Sequence, residues 1–334
     1  MRALVVPQKG KLEVRDIPEP RLGPYDARVR IEVCGICNST DLKLIDGTMF
    51  WAPPFPFVLG HESVGEVVEV GPRVRKFKVG DRVTRPCAFV PGSVPELNLA
   101  VGGFAEYGVL RDGFAMAEDG DSSLMDDYNV LRQNVVPQGI EPIQAALAIT
   151  LAETASVLNR LPNVRGKTVV VAGTGAVGLA FGLWIKLAGG SVITLGRRKE
   201  RLELALKLGA DHVVDTTRSG WTEQIVQLTN GGADGAIEAT GDADLAARLL
   251  DVLKPGAFAS AYGVPPTGTS YPEGWVPSDV REQESYDWVC DLIIRGWIDP
   301  GKFITHTWTL DQAQEAFRLV AGGEVLKGFV KLSV

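Results

Sequence analysis

The stretch Thr168-Val169-Val170-Val171-Ala172-Gly173-Thr174-Gly175-Ala176-Val177-Gly178, with the apolar run after it, decides the fold. Thr168 to Ala172 reads as a strand buried on both faces, as in a parallel sheet. The next residues form a G-x-G-x-x-G turn, and the run from Leu179 to about Leu187 reads as a helix ended by Gly189-Gly190. Ser191 to Leu195 is a second strand that delivers Gly196-Arg197-Arg198. Strand, glycine turn, helix and strand in this order make a βαβ unit with a dinucleotide fingerprint. Gly173 permits the tight turn, Gly175 lets a pyrophosphate approach the backbone, and Gly178 lets helix and strand pack closely. The helix N-terminus offers free N–H groups and a positive dipole end to the phosphates, and Ala176 and Val177 are cofactor-binding candidates with the three glycines. With 38 glycines in the chain such a pattern arises by accident, so the weight lies on the register of the three elements.

The end of the second strand selects the cofactor. A site for NAD places Asp or Glu there, about 20 residues into the unit, to accept from the ribose 2′-OH. Here the residues are Gly196, Arg197, Arg198 and Lys199. No carboxylate repels a 2′-phosphate, and two guanidiniums can clamp it with charge-assisted bonds. The bland alternative, a solvated basic helix start, runs against the helix dipole. NADP(H) is the expected cofactor.

The chain has 334 residues, 45% of them apolar and 22% charged, with a net charge of −7. That length supports two domains, and the acidic balance argues against a nucleic-acid or anionic-membrane partner. No apolar run reaches membrane-spanning length, and Met1 to Pro7 lacks a signal-peptide plan, so a cytoplasmic location is expected. Four cysteines (Cys34, Cys37, Cys87, Cys290) are too few and too scattered for a disulfide framework.

Up to about residue 110, short β signals recur between Pro and Gly punctuation. They include Ala27–Val33, Val64–Gly71 and a turn at Val79–Val83, and they suit a small, mostly antiparallel barrel or sandwich. Gln144 to Asn159 reads as a helix. After the βαβ unit the alternation continues: helix Arg201–Leu208, strand Gly209–Asp215, helix Trp221–Leu228, strand Ala236–Gly241, helix Ala243–Leu253 and strand Ala257–Val264. This is a doubly wound parallel sheet of the Rossmann kind, and the fold class is α/β. Residues 265–280 read as an irregular loop. A helix at Glu284–Ile294, a strand near Ile304–His306, a helix at Leu310–Ala321 and a strand Phe329–Leu332 follow.

The chemistry-bearing residues of the first domain are Cys37, in Cys34-Gly35-Ile36-Cys37-Asn38-Ser39-Thr40-Asp41, and the trio Gly60-His61-Glu62. Thiolate, imidazole and carboxylate are the ligand types of a zinc that keeps one position open for substrate. A redox pair or a structural zinc half-site at Cys34-x-x-Cys37 lacks a second CxxC and the βαβ context of a thioredoxin motif. Singly, Cys37 reads as a small buried hydrophobe and His61 as a satisfied core histidine.

The order of Cys37, Gly60-His61-Glu62, Gly80-Asp81-Arg82-Val83, Gly103-Phe104-Ala105-Glu106-Tyr107 and the dinucleotide turn resembles the medium-chain zinc-dependent alcohol dehydrogenase superfamily. The likeness is strongest to its polyol/sorbitol and sugar dehydrogenase branch. Glu238-Ala239-Thr240-Gly241, Leu253-Lys254-Pro255-Gly256, Tyr262-Gly263-Val264 and Leu310-x-x-Ala313-x-x-Ala316-Phe317 agree with it. The resemblance covers essentially the whole chain. It implies a GroES-like, mostly β catalytic domain at 1–149 with 281–334 returning to it, and a Rossmann domain at 150–280. It further implies Cys37, His61 and Glu62 as catalytic and metal-ligating residues, and Ser39 or Thr40 as the hydroxyl that passes on the substrate proton. Ala239, Gly241 and Val264 resemble residues lining the nicotinamide and its ribose. A homodimer or homotetramer through the cofactor domain is implied too, with the edge strand Ala257–Val264 as a pairing surface.

Three departures from the family pattern stand out. Cys87 is alone where the family's structural zinc needs four cysteines, so no structural zinc is expected. One extra residue enters the usual Cys-x-Ser/Thr-Asp, which leaves Ser39 and Thr40 as alternative relays, Ser39 keeping the offset from Cys37. Lys43 stands where a relay histidine is common. Lastly, counting back from Gly173, the family's third zinc ligand falls at Ile149, which cannot bind metal. Glu153, one helical turn later on the same face, is the candidate replacement, against its reading as an ordinary exposed glutamate. The ligand shell is then Cys37, His61 and Glu62 with water, the same with Glu153, or a weakened and empty site.

The expected activity is NADP(H)-dependent interconversion of a secondary alcohol (a polyol, sugar or related small hydroxylated molecule) and its carbonyl, assisted by one catalytic zinc. Phe50 and Trp51 are candidates for the substrate pocket wall, against their reading as loop packing. A zinc-independent quinone or enoyl-type reductase and a non-catalytic NADPH-binding protein are the alternatives.

Overall fold

The computed structural model describes residues 1–332; Ser333 and Val334, the end of the returning segment expected at 281–334, lie outside them. The chain forms two units, Met1–Thr150 with Gln283–Val334, and Leu151–Glu282. The change from one to the other falls inside the helix Pro142–Leu158.

The inserted unit is built on a six-stranded sheet. Its order is His212–Asp215, Ser191–Gly196, Thr168–Ala172, Ala233–Glu238, Leu253–Ala261 and Val276–Pro277, and every pairing is parallel. Alternate residues of the first strand serve opposite faces. Val170 and Ala172 pack with Ile193, Trp221, Ala246 and Leu249. Val169 and Val171 pack with Phe181, Ile185 and Ile237. Helices cover both faces, which is why this strand carries no polar residue between Val169 and Ala172.

Two expectations for this unit need correction. The strand read as Ala257–Val264 runs from Leu253 to Ala261, and the helix read up to Leu253 ends at Leu250, so Leu253 opens the strand instead of closing the helix. The irregular stretch 265–280 contains a short strand, Val276–Pro277, that pairs with Ser260 and Ala261. That edge of the sheet is therefore already occupied within the chain, which takes Ser260 and Ala261 out of the pairing surface expected for an oligomer. Smaller differences are that the first helix begins at Ala176 and the third strand at His212.

The other unit is mostly antiparallel, with two sheets. The larger runs Ile304–Thr309, Lys327–Lys331, Asp26–Ile36, Glu62–Val70 and Arg82–Thr84, with Tyr107–Arg111 also paired to Asp26–Ile36. The smaller runs Glu13–Asp16, Arg2–Val6, Phe57–Val58 and Asn98–Leu99. The helices read as Glu284–Ile294 and Leu310–Ala321 each start with a 3₁₀ turn, so the α-helical parts are Tyr286–Ile294 and Ala313–Gly322. The last strand begins at Lys327, two residues before the apolar signal at Phe329.

The glycine turn has the geometry its sequence requires. Gly173 adopts φ +124°, a conformation that L side chains rarely take. Gly178 faces Gly173 so closely that a methyl group there would overlap the Gly173 carbonyl oxygen. Gly178→Ala should therefore lower stability by about 1–3 kcal/mol through overpacking and weaken dinucleotide binding; urea denaturation and cofactor titration measure the two effects.

Candidate active site

Strand register delivers the donors. Within the larger sheet of the first unit, Gly35 pairs with Glu62 on one side and Phe329 on the other. A Cβ on Gly35 would collide with Glu62 Oε2 and lie 3.2 Å from the Phe329 ring. Glycine at this position is what lets the Glu62 side chain lie across the strand. Two residues on, Cys37 leaves the strand before the helix Thr40–Ile45. His61 immediately precedes the strand Glu62–Val70. As a result one ligand atom each of Cys37, His61 and Glu62 lies within 4.8 Å of the others, the one such metal-competent group among the described residues.

The surroundings prepare these donors. Asp41 is fully buried; its Oδ2 accepts from the Cys37 N–H at 2.9 Å and its Oδ1 lies 3.1 Å from His61 Nδ1. A carboxylate beside one ring nitrogen is the usual companion of a metal-binding histidine, and it leaves Nε2 as the nitrogen away from Asp41. Burial alone would disfavour charge on both Cys37 and His61. Their mutual contact reverses this for Cys37, whose thiol is held below its ordinary range. The Asp41 carboxylate, with Cys37, reverses it for His61, which is pushed well above its ordinary value. Glu62 is paired through Oε2 with the ammonium of Lys327, itself buried. Burial opposes the charge on Lys327, and the Glu62 carboxylate more than offsets it, raising its pKa.

Thiolate, imidazole and carboxylate at these separations fit a zinc ion that keeps a position for a further ligand. Ile149 is fully buried among apolar residues and contributes no donor. Glu153, the candidate replacement, is not in the group. It belongs to the inserted unit, is half-buried instead of exposed, and accepts from the Tyr262 hydroxyl at 3.0 Å. Its half-burial differs from the exposed glutamate read from the sequence. Ser39 is exposed and precedes the helix without capping it; its Oγ accepts from Lys43 Nζ at 3.2 Å, while Thr40 is half-buried. Asn38, between Cys37 and Ser39, is tied down by donating to the carbonyls of Val325 and Leu326. Phe50 and Trp51 are 75% and 43% exposed, so loop packing falls instead to Phe55, stacked on Phe57 at 5.3 Å.

On the cofactor side, Gly175 caps the helix Ala176–Leu187 in extended conformation. Gly196 ends its strand opposite Asp215, and a Cβ there would fall 2.5 Å from Thr174 Cγ2. The space an acidic side chain would need is thus filled from the glycine turn itself. Arg197 and Arg198 follow, both exposed, at the start of the helix Lys199–Lys207. Gly241 abuts Val264, so that a Cβ on Gly241 would strike the Val264 carbonyl.

Sequence reasoning passed over several supporting residues. Asp41 had a usable signal, a carboxylate in the first helical turn four residues after Cys37. Lys327 had none, since it comes from a distant strand. Arg85 is buried with φ +59°, rare for a non-glycine residue, and its guanidinium donates to the His61 carbonyl.

A parallel dinucleotide sheet in one unit and a thiol–imidazole–carboxylate group in the other are the equipment of an enzyme that moves hydride between a nicotinamide and an alcohol or carbonyl. Residues 23–118 match the alcohol dehydrogenase GroES-like domain, and residues 176–278 match the zinc-binding dehydrogenase domain. The chain is 30% identical over 343 residues to the NADP-dependent isopropanol dehydrogenase of Thermoanaerobacter brockii, covering 96% of each chain. It is 29% identical over 345 residues to the sorbitol dehydrogenase of Halalkalibacterium halodurans, covering 98% of each. Among solved structures, a Sinorhizobium meliloti protein assigned as a zinc-binding dehydrogenase and bound to NADP superposes with a TM-score of 0.81 at 26% identity, covering 99% of this chain and 98% of that one. The chain belongs to the medium-chain zinc-dependent alcohol dehydrogenase superfamily. It is an NAD(P)-dependent oxidoreductase of small-molecule alcohols and carbonyls.

The four cysteines should separate on alkylation. Burial raises Cys34 well above its ordinary value and pushes Cys87 and Cys290 up to about 12. Thiolate is the reactive form. Iodoacetamide at neutral pH should therefore label one equivalent of the metal-free protein, at Cys37, with a rate that levels off at lower pH than for a free thiol. His61→Ala should move that rise to higher pH, because the cation that favours the thiolate is gone; mass spectrometry of labelled peptides reads both.

Proposed function

We propose that this enzyme uses NADP(H) and one zinc ion to interconvert a secondary alcohol, a polyol or sugar-like molecule among the candidates, and its carbonyl. The observation that carries the zinc half is the grouping of Cys37, His61 and Glu62 within 4.8 Å. The sequence Gly196-Arg197-Arg198, with Thr174 filling the place of an acidic side chain, supports the cofactor half. The likenesses to an NADP-dependent isopropanol dehydrogenase and to a sorbitol dehydrogenase fit the same reading.

Cys37 and His61 hold the metal and Glu62 contributes its carboxylate, shared with Lys327. A zinc ion held there would supply Lewis acidity that lowers the pKa of the substrate hydroxyl. Asp41 fixes the His61 ring and stabilises its ligating tautomer. Ser39 takes the proton leaving the alcohol and passes its own outward, with its oxygen held by Lys43. Thr40 is the alternative relay. Bound NADP⁺ supplies a hydride acceptor at nicotinamide C4. Gly175, Ala176 and Val177 hold its pyrophosphate, Arg197 and Arg198 its 2′-phosphate, and Ala239, Gly241 and Val264 line its nicotinamide end. The protein acts in the cytoplasm as a homodimer or homotetramer, without a structural zinc.

A zinc-independent reductase is the second reading, favoured by Ile149 and by the Lys327 ammonium at Glu62. Metal analysis separates the two. About one zinc per chain, with activity lost to a chelator, is the expected result, and a fully active metal-free enzyme sinks the zinc mechanism. Assays of polyols, sugars and secondary alcohols on the same sample identify the substrate class.

The cofactor reading has its own test in equilibrium titration. NADPH should bind much more tightly than NADH, and Arg197→Ala should cut that preference by about tenfold through loss of a charge-assisted bond. Equal affinities in the wild type overturn the assignment. Ser39→Ala should lower kcat by on the order of 10²-fold at unchanged zinc content.

A further inference from the structure

Glu238 ends the fourth strand of the parallel sheet and is fully buried, yet no role in metal or phosphate binding falls to it. All of its bonds point at two adjacent turns. Oε1 accepts from the Thr240 N–H at 2.6 Å and from the Thr240 hydroxyl. Oε2 accepts from the Gly241 N–H at 2.9 Å and from the Tyr271 hydroxyl. Its own carbonyl accepts from the N–H groups of Tyr262 and Gly263, at 2.8 and 2.9 Å. The Gly263 carbonyl oxygen lies 2.8 Å from the Tyr271 oxygen, so the one hydroxyl proton is shared between that carbonyl and Glu238.

Tyr271 thus joins three pieces of chain: the turn 239–241, the turn 262–265, and the irregular segment leading to the edge strand Val276–Pro277. The segment has a second anchor in Trp275, whose ring lies 5.9 Å from that of Tyr271 and whose Nε1 donates to the Ala246 carbonyl at 3.2 Å. Space at the junction is tight. A Cβ on Gly263 would fall 2.6 Å from Glu238 Oε2, and one on Gly241 would strike the Val264 carbonyl. Neither turn can shift without disturbing the other. A buried carboxylate that loses a donor bears a desolvation cost, so the network favours one arrangement of both turns. Burial and the Glu238 carboxylate push the phenol well above its ordinary range, which keeps the hydroxyl protonated and donating.

We propose that Tyr271, acting through Glu238, is a positioning residue that sets the turns Ala239–Gly241 and Gly263–Pro265 in the arrangement that receives the nicotinamide end of the cofactor. The inference rests on the cofactor reading above. Phosphate and adenine contacts belong to the glycine turn and to Arg197 and Arg198, so the effect of Tyr271 is confined to one half of the dinucleotide.

The test compares two ligands on the same protein: NADPH, which reaches both halves, and 2′,5′-ADP, which reaches only the adenosine half. Tyr271→Phe keeps the ring and removes the hydroxyl. It should weaken NADPH by about tenfold and leave 2′,5′-ADP within about twofold of wild type. Thr240→Val, which removes a bond at an exposed side chain, should give the same selective loss at smaller size, and it carries the test if Tyr271→Phe fails to fold. Unchanged NADPH affinity in both variants, or equal weakening of both ligands, overturns the proposal. Wild-type titrations distinguish this from failure of the cofactor assignment. If wild type prefers NADH, the NADP(H) reading falls and the comparison is made with NADH against AMP; if it binds neither dinucleotide, both fall.

Discussion

The pairing of Gly35 between Glu62 and Phe329 is the constraint on which the candidate metal site depends. A side chain on Gly35 would occupy the volume where the Glu62 carboxylate lies. With that volume free, Glu62 reaches Lys327 in the neighbouring strand, and the Cys37 turn follows directly from the end of the same strand. Asp41 and Arg85 then fix His61 from its ring and from its carbonyl. The donors converge because their backbones are held in register, before any metal contributes energy.

The same division between donor and support runs through the cofactor unit. The glycine turn offers N–H groups, but Thr174 closes the acidic position and Glu238 pins the turns beyond the fourth strand. Several of the buried charged residues stand in or beside these sites. Asp41, Glu62, Glu238 and Lys327 each have an ionic or hydrogen-bonded partner, as buried charge requires.

Much of the fold was legible because its constraints are local. Gly173 and Gly178 mark a turn that admits few other residues, and the alternating faces of Thr168–Ala172 follow from strand geometry. The donors Cys37, His61 and Glu62 were legible as chemistry. What was not legible depends on register between distant segments. Lys327 has no local signature that ties it to Glu62, and Tyr271 sits in a stretch whose prolines and glycines read as loop. The edge strand Val276–Pro277 was hidden for the same reason, being two residues long and ending in proline. Glu153 shows the same limit: its helical spacing gave no sign that the distant Tyr262 donates to its carboxylate.

The strand Lys327–Lys331 also gives the site an order of assembly. Cys37, His61 and Glu62 are made early, whereas the ammonium that neutralises the buried Glu62 carboxylate belongs to a strand made after the whole inserted unit. During synthesis the dinucleotide sheet has its complete set of strands before the catalytic sheet does, and domains fold as units as they emerge. The buried Glu62–Lys327 pair can therefore close only when both ends of the chain are present, which makes it a contact of the finished unit.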